Sequence, residues 1–133
     1  GSDRQSLAGK RVLLCEDHPL NQEIARTLLE SSGMLVSTAE NGQQGLRLFQ
    51  ESGCGSYDII LMDIRMPVMN GYEAAKNIRA LERPDAKTIP IIAMSADAFA
   101  DDVQKCRDAG MNGHIAKPVD PKKLYGELLS YLK

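Results

Sequence analysis

Short apolar runs alternate five times with segments of helical spacing, and this alternation restricts the folds open to the chain. The clearest run, residues 58–63, is apolar between two acids, as expected for a strand buried on both faces. Strands that alternate with helices over short connections favour a parallel sheet with right-handed crossovers. We therefore predict an α/β fold. Its predicted strands cover residues 11–15, 34–39, 58–63, 89–95 and 113–116.

The segments between these runs carry helix signals. Leu20, Ile24 and Leu28 recur at four-residue spacing, and Gly33 is expected to end the helix that they form. Asn70 is expected to cap the helix that follows the third strand. The other predicted helices cover residues 43–50, 101–109 and the segment that opens at Asp120-Pro121.

Composition indicates one soluble domain. The chain has 133 residues, of which 43% are hydrophobic and 26% charged, and no apolar run is long enough to span a bilayer. A net charge of −2 argues against nucleic-acid binding, and three separated cysteines suit a reducing cytoplasm. We predict a tag scar and frayed linker over residues 1–9 and the domain over 10–133. We expect it to lie in the cytoplasm, without membrane or nucleic-acid contact.

Polar residues end four of the predicted strands. Glu16 and Asp17 follow the first strand, Asp63 the third, Ser95 the fourth and Lys117 the fifth. The carboxyl ends of parallel strands meet at one edge of a sheet, where ligands bind in such folds. Converging carboxylates need a cation, and Mg²⁺ prefers oxygen ligands. With an ammonium and a hydroxyl group added, this set suits phosphoryl transfer to a carboxylate nucleophile.

Four ordered motifs carry a family resemblance. They are LCED at 14–17, LMDIRMPVMNG at 61–71, IIAMSA at 91–96, and AGM at 109–111 leading to Lys117-Pro118. Together they make the chain similar to receiver domains of two-component and phosphorelay signalling, over nearly its whole length. The segments EDHPLNQ at 16–22 and AGM at 109–111 in particular resemble receivers that are fused to hybrid sensor histidine kinases.

The resemblance implies both a fold and a reaction. The fold is a flavodoxin-like doubly wound (βα)5 three-layer sandwich, with a five-stranded parallel sheet in the order 2-1-3-4-5. Asp63 would accept a phosphoryl group from a phosphohistidine on a histidine kinase or a histidine-containing phosphotransfer domain. The cofactor would be Mg²⁺, held by Glu16, Asp17, the Asp63 side chain and the backbone carbonyl of Arg65.

The remaining site roles also follow from the resemblance. Lys117 would pair with Asp63 at rest and with a phosphate oxygen afterwards, while the Ser95 hydroxyl and the Ala96 backbone N–H would bind the phosphate. Ser95 would also act as a switch together with a residue of the fifth strand. That second position, usually Tyr or Phe in the family, is His114 here, and imidazole differs from both in size and charge.

We expect a docking surface for the partner protein, formed by residues on both sides of the site. Leu20 and Ile24 begin the first helix, and Pro118 and Val119 follow Lys117. An apolar patch rimmed by charge suits a transient helical partner. The Lys117–Pro118 peptide bond is expected to be cis.

Other functions fit the residues less well. A flavin-binding protein of this sheet type would need a phosphate cradle after the first strand, where this chain has acids. A carboxylate-nucleophile phosphatase would carry its Asp pair there instead of Asp63 after the third strand. Two alternatives stay open, namely a receiver-like interaction module that is never phosphorylated and a stand-alone single-domain response regulator.

Overall fold

The computed structural model describes residues 7–66, 68–95, 100–117 and 119–132, and of 100–103 the backbone alone. Strands and helices alternate as predicted, with bounds that shift by one or two residues and with one additional short helix. The elements are β1 (Arg11–Cys15), α1 (Pro19–Ser31), β2 (Leu35–Ala39), α2 (Gly42–Glu51), β3 (Ile59–Asp63), α3 (Gly71–Arg79), α4 (Pro84–Thr88), β4 (Ile91–Ser95), α5 (Ala100–Asp108), β5 (Gly113–Ala116) and α6 (Pro121–Leu132).

All strands form one parallel sheet in the order β2-β1-β3-β4-β5. The chain runs from β1 outward to β2 and then crosses back to β3 on the other side of β1. The connections that follow β1 and β3 therefore diverge and leave a cleft at the carboxyl edge of the sheet. The predicted flavodoxin-like fold and its strand order are confirmed.

The sheet separates two apolar layers. Helices α1 and α6 cover the face to which Val12 and Leu14 contribute, and α2 to α5 cover the face to which Leu13 and Cys15 contribute. Strands β3 and β4 are buried along their whole length. Burial on both faces explains why their sequences are continuously apolar instead of alternating.

The segment before β1 is packed from Leu7 onward. Leu7 is fully buried in the layer beneath α1 and α6, and the Gly9 N–H donates to the Gly33 carbonyl at 2.9 Å. The frayed linker predicted for residues 1–9 is therefore wrong for its described part, residues 7–9. A single leucine in a polar stretch carries no periodic signal that would reveal its burial. The predicted tag scar lies outside the described residues.

Helix α1 packs on the sheet with a different face from the one that its apolar stripe suggests. Ala25 and Leu29 are buried, whereas Leu20 is 59% exposed and Ile24 45% exposed. The buried pair lies one residue further along the helix, which rotates the core-facing side by roughly 100°. The stripe therefore leaves two large apolar side chains at the surface, near the start of the helix.

Helix α4 has too few residues to show helical periodicity, and the sequence pattern does not predict it. Arg83 fixes this segment from the preceding position. Its guanidinium donates to the Phe49 and Ser52 carbonyls, each at 2.9 Å, and lies 4.4 Å from the centre of the Phe49 ring. It also pairs with Asp85 at 2.6 Å. These contacts hold α4 against the end of α2, opposite the carboxyl edge of the sheet.

Candidate active site at the carboxyl edge of the sheet

Three carboxylates meet where β1 and β3 end. Glu16 and Asp17 follow β1 and Asp63 is the last residue of β3, and each offers an oxygen within 4.8 Å of the others. Glu16 and Asp63 are buried, at 2% and 3% exposure, whereas Asp17 is exposed. The site therefore has two buried acids beneath one that faces solvent.

Lys117 links the two buried acids. Its Nζ lies 2.7 Å from Glu16 Oε2 and 3.0 Å from Asp63 Oδ2. The Lys117 backbone N–H donates to the Ser95 carbonyl at 2.7 Å, which continues the β4–β5 ladder beyond β5. The resemblance implies the pairing with Asp63, but the shorter contact with Glu16 was not predicted.

The site holds three carboxylates and only one ammonium group among the described residues that form it, and this excess of negative charge shifts the pKa values of the buried groups. Burial raises the pKa of Asp63 to about 7, and the Glu16 carboxylate raises it as well, against the opposing effect of Lys117. Burial would lower the pKa of Lys117, but its hydrogen bonds and charge interactions with Glu16 and Asp63 outweigh burial and raise it. The lysine is thus held as an ammonium, while excess negative charge remains on the acids.

This donor set fits a magnesium ion. All three side chains offer oxygen ligands, and one ammonium does not balance three carboxylates. Apart from Lys117, Glu16 accepts a hydrogen bond from the His18 N–H at 3.1 Å, and Asp63 has a long contact of 3.4 Å from the Arg65 N–H. A cation that binds the two carboxylate oxygens not paired with Lys117, Glu16 Oε1 and Asp63 Oδ1, would therefore displace only these weaker contacts. The Arg65 carbonyl as a further ligand stays a prediction.

Ser95 ends β4, beside the strand that carries Asp63. It is 8% exposed and lines a cavity of about 260 Å³ together with Arg65 and Tyr72. Arg65 stands two residues after Asp63, so this cavity borders the end of β3. The predicted backbone contribution of Ala96 lies outside the described residues, and the phosphate-binding role of Ser95 stays a prediction.

His114 lies on β5, opposite Ala93 of β4. The residue is half-buried and lines two surface cavities, and its Nε2 is buried without a hydrogen-bond partner within the described part of the chain. Its side chain therefore lacks a polar contact that would fix its ring on that side. The switch role implied for Ser95 and His114 stays a prediction.

The predicted docking residues lie at the rim of the site. Ile24 and Val119 line one cavity of about 130 Å³, and the buried Glu16 and the Lys117 side chain line the same cavity. Leu20 stands one turn before Ile24 on α1 and is the more exposed of the two. Pro118 and the predicted cis bond before it lie outside the described residues.

Gln22 also helps to build the site and was missed at the sequence level. Its side-chain amide donates to the Glu16 carbonyl at 3.1 Å and to the Ala39 carbonyl at 3.3 Å. It thereby ties the first turn of α1 to the ends of β1 and β2. A glutamine in a helical segment carries no signal of such a contact, because the partners are backbone groups of two other elements.

The chain belongs to the family of response regulator receiver domains, whose model matches residues 12–129. A region of hybrid signal transduction histidine kinase I of Dictyostelium discoideum is 41% identical and covers 87% of this chain. The match spans 7% of that kinase, and between 5% and 15% of several other histidine-kinase relatives. The chain thus corresponds to a small part of these proteins.

Two solved structures illustrate the similarity. The receiver domain of a sensor histidine kinase from Pseudomonas aeruginosa is 39% identical, with a TM-score of 0.84 over 94% of this chain and 98% of that one, and has magnesium coordinated in its active-site cleft. The receiver domain of the Saccharomyces cerevisiae response regulator Ssk1, in complex with the histidine phosphotransfer protein Ypd1, is 29% identical. Its TM-score is 0.85, over 94% of this chain and 90% of that one.

The resemblance to receivers of hybrid histidine kinases is confirmed by these matches. Among the described residues, no helix combines the length and the apolar character that a membrane span requires.

Proposed function

We propose that Asp63 is the phosphoacceptor of a phosphorelay receiver, taking a phosphoryl group from a phosphohistidine with Mg²⁺ bound beside it. The observation that carries this proposal is the buried Asp63 carboxylate, paired with Lys117 and facing the Glu16 and Asp17 carboxylates. We place the domain in the cytoplasmic part of a hybrid sensor histidine kinase. Its similarity to short regions of such kinases supports this context.

Each side chain of the site has a separate role in the in-line transfer of the phosphoryl group. An Asp63 oxygen attacks phosphorus while the bond from phosphorus to the histidine nitrogen breaks, and that nitrogen keeps the bonding electron pair. Lys117 stays within reach of the acceptor carboxylate and pairs with a phosphate oxygen, and Ser95 donates a hydrogen bond to another. Bound Mg²⁺ supplies positive charge that offsets the negative charge of the transferring oxygens. Glu16, Asp17 and the Arg65 carbonyl would hold it beside Asp63.

The central test is phosphorylation by a small donor. Incubation with acetyl phosphate and Mg²⁺ is expected to add one phosphoryl group, detected by intact mass. Asp63→Asn is expected to gain none, because an amide oxygen is a poor nucleophile and cannot form the acyl phosphate. A chelator should prevent the gain in the parent protein. Unchanged mass of the parent protein with donor and Mg²⁺ present would support the alternative, an interaction module that is never phosphorylated.

The docking surface defined by Leu20, Ile24 and Val119 would receive the donor protein. The two α1 residues are exposed and apolar, and Ile24 and Val119 line the cavity that reaches Glu16 and Lys117. The solved complex of Ssk1 with Ypd1 shows that a related receiver binds a histidine phosphotransfer protein. A helical phosphotransfer domain that covers this surface would bring its histidine to the open side of Asp63.

Leu20→Ala is expected to slow transfer from a phosphorylated histidine-containing domain by about tenfold, as for an apolar side chain in the centre of an interface. Phosphorylation by acetyl phosphate should stay at the parental rate, because that donor needs no docking. Leu35→Ala is the matched control, since Leu35 is 61% exposed at the opposite edge of the sheet. If protein-to-protein transfer were slowed equally in both variants, or in neither, the docking surface would have to lie elsewhere.

A further inference from the structure

The loop that follows Asp63, residues 64–70, is held by backbone contacts at its end. The structure describes all of this loop except residue 67. The Gly71 N–H donates to the Ile64 carbonyl at 2.9 Å, and a Cβ on Gly71 would overlap the carbonyl oxygen of Asp63. Gly71 is the first residue of α3, and only glycine there allows the loop to close this tightly on the end of β3.

A second glycine holds the same loop from another element. The Gly42 N–H donates to the Met69 carbonyl at 3.0 Å. A Cβ on Gly42 would overlap that carbonyl oxygen and lie 3.1 Å from the carbonyl oxygen of Asn70. Both obstacles are backbone atoms, so they cannot give way by a change of rotamer. A larger residue at position 42 must displace either the loop or α2.

Helix α2 is the less movable of the two. Gly42 is its first residue, and the Asn41 side chain caps the helix by accepting a hydrogen bond from the Gln44 N–H at 2.8 Å. Further along, Phe49 is fully buried in the core. The first N–H groups of a helix have no partner within it, and α2 uses one of them to bind the loop. Within the loop, Ile64 and Met66 are buried in the core, whereas Val68 is exposed and Met69 and Asn70 are half-buried. The carboxyl half of the loop is therefore the part expected to move.

The loop also contains a strained residue. Val68 has φ +67°, a left-handed conformation that is unfavourable for a β-branched side chain, and it is 75% exposed. Its own side chain makes too little buried contact to stabilise this conformation. Such strain persists where the surrounding structure determines the backbone, and it is concentrated at functional sites. The hydrogen bonds of the Gly42 and Gly71 N–H groups fix the backbone on the carboxyl side of Val68 and so help to keep Val68 in this conformation.

We propose that Gly42 is a positioning residue that holds the loop after Asp63, and Arg65 within it, in the geometry needed for Mg²⁺ binding. This inference rests on the proposed function, since it assigns the Arg65 carbonyl to the metal. Arg65 is linked to the acceptor by the contact from its N–H to Asp63 Oδ1 at 3.4 Å. Displacement of Met69 would pass along the short loop to Arg65. Metal sites are sensitive to residues that orient their ligands.

The decisive experiment is a calorimetric titration of Gly42→Ala with MgCl₂. We expect Mg²⁺ affinity about tenfold or more below that of the parent protein, as for other residues that orient metal ligands. Phosphorylation by acetyl phosphate should be slow at low Mg²⁺ and recover most of the parental rate at saturating Mg²⁺. Because Mg²⁺ also stabilises the folded state, both measurements are made at a temperature where circular dichroism shows the variant to be fully folded, so that lost stability cannot produce the same dependence on metal concentration.

Gly33→Ala is the matched control. Gly33 has φ +88°, and a Cβ there would lie 3.0 Å from Ala8 Cβ, at the amino edge of the sheet and away from the site. This variant should lose stability but keep the parental Mg²⁺ affinity. Parental Mg²⁺ affinity in Gly42→Ala, or equal weakening in both variants, would overturn the inference.

The inference can also be tested on the parent protein, in case the Gly42→Ala variant does not fold. Addition of Mg²⁺ should shift the amide resonance of Gly42 and slow its hydrogen exchange, while the Gly33 amide stays unchanged. A Gly42 amide that does not respond while Mg²⁺ binds would overturn the inference. If the parent protein itself neither binds Mg²⁺ nor accepts a phosphoryl group, the proposed function fails instead, which separates the two claims.

Discussion

Replacement of Glu16 by Gln together with Asp17 by Asn is expected to abolish the response of this domain to Mg²⁺. In the parent protein, Mg²⁺ binds the folded site and should raise the midpoint of thermal unfolding as its concentration rises. The amides keep the shape of the side chains but remove two of the three negative charges at the site. The midpoint of the double variant should therefore not depend on Mg²⁺, and acetyl phosphate should no longer phosphorylate Asp63.

The control for this result is a pair of changes of equal charge away from the site. Glu23→Gln with Glu30→Gln removes two negative charges from exposed positions on α1. This pair should retain both the Mg²⁺-dependent stabilisation and the phosphorylation. Phosphorylation of the site variant that still required Mg²⁺ would contradict the assignment of Glu16 and Asp17 as metal ligands.

Asp63→Asn is expected to be more stable than the parent protein at pH 8 without Mg²⁺, by about 1–3 kcal/mol in the free energy of unfolding. Burial, followed by the Glu16 charge, raises the pKa of the folded Asp63 from 3.8 to about 7. A raised acid pKa means that folding favours the protonated form. The stability that this carboxyl contributes is therefore complete below about pH 4 and is lost as the pH rises through about 7.

The gain from Asp63→Asn should consequently shrink as the pH falls from 8 to 4, as measured by urea unfolding at each pH. Saturating Mg²⁺ at pH 8 should also reduce this gain in stability. The cation balances the Asp63 carboxylate of the parent protein, whereas the variant has no charge at this position to balance. Asp108→Asn, at an exposed carboxyl, is the control and should show no comparable gain. A gain that is constant from pH 4 to 8 would show that charge burial at Asp63 is not its cause.

The amino-acid sequence alone determined the fold class and which residues come together at the site. Five apolar runs separated by helical segments imply parallel strands, and parallel strands bring their carboxyl ends to one edge. Glu16, Asp63 and Lys117 could therefore be placed together before any distance was known. The end of α1 at Gly33 and the cap of α3 at Asn70 were equally predictable, because both depend on local backbone chemistry.

The tertiary structure alone decided how these parts meet. Which carboxylate lies closer to Lys117, and how far burial raises the pKa of Asp63, depend on distances across strands that the sequence does not contain. The rotation of α1, which exposes Leu20, depends on how the whole helix packs against the sheet. The bond from Gly42 to Met69 joins backbone groups of two elements. Backbone groups are alike in every residue, so only the assembled fold reveals which of them come into contact.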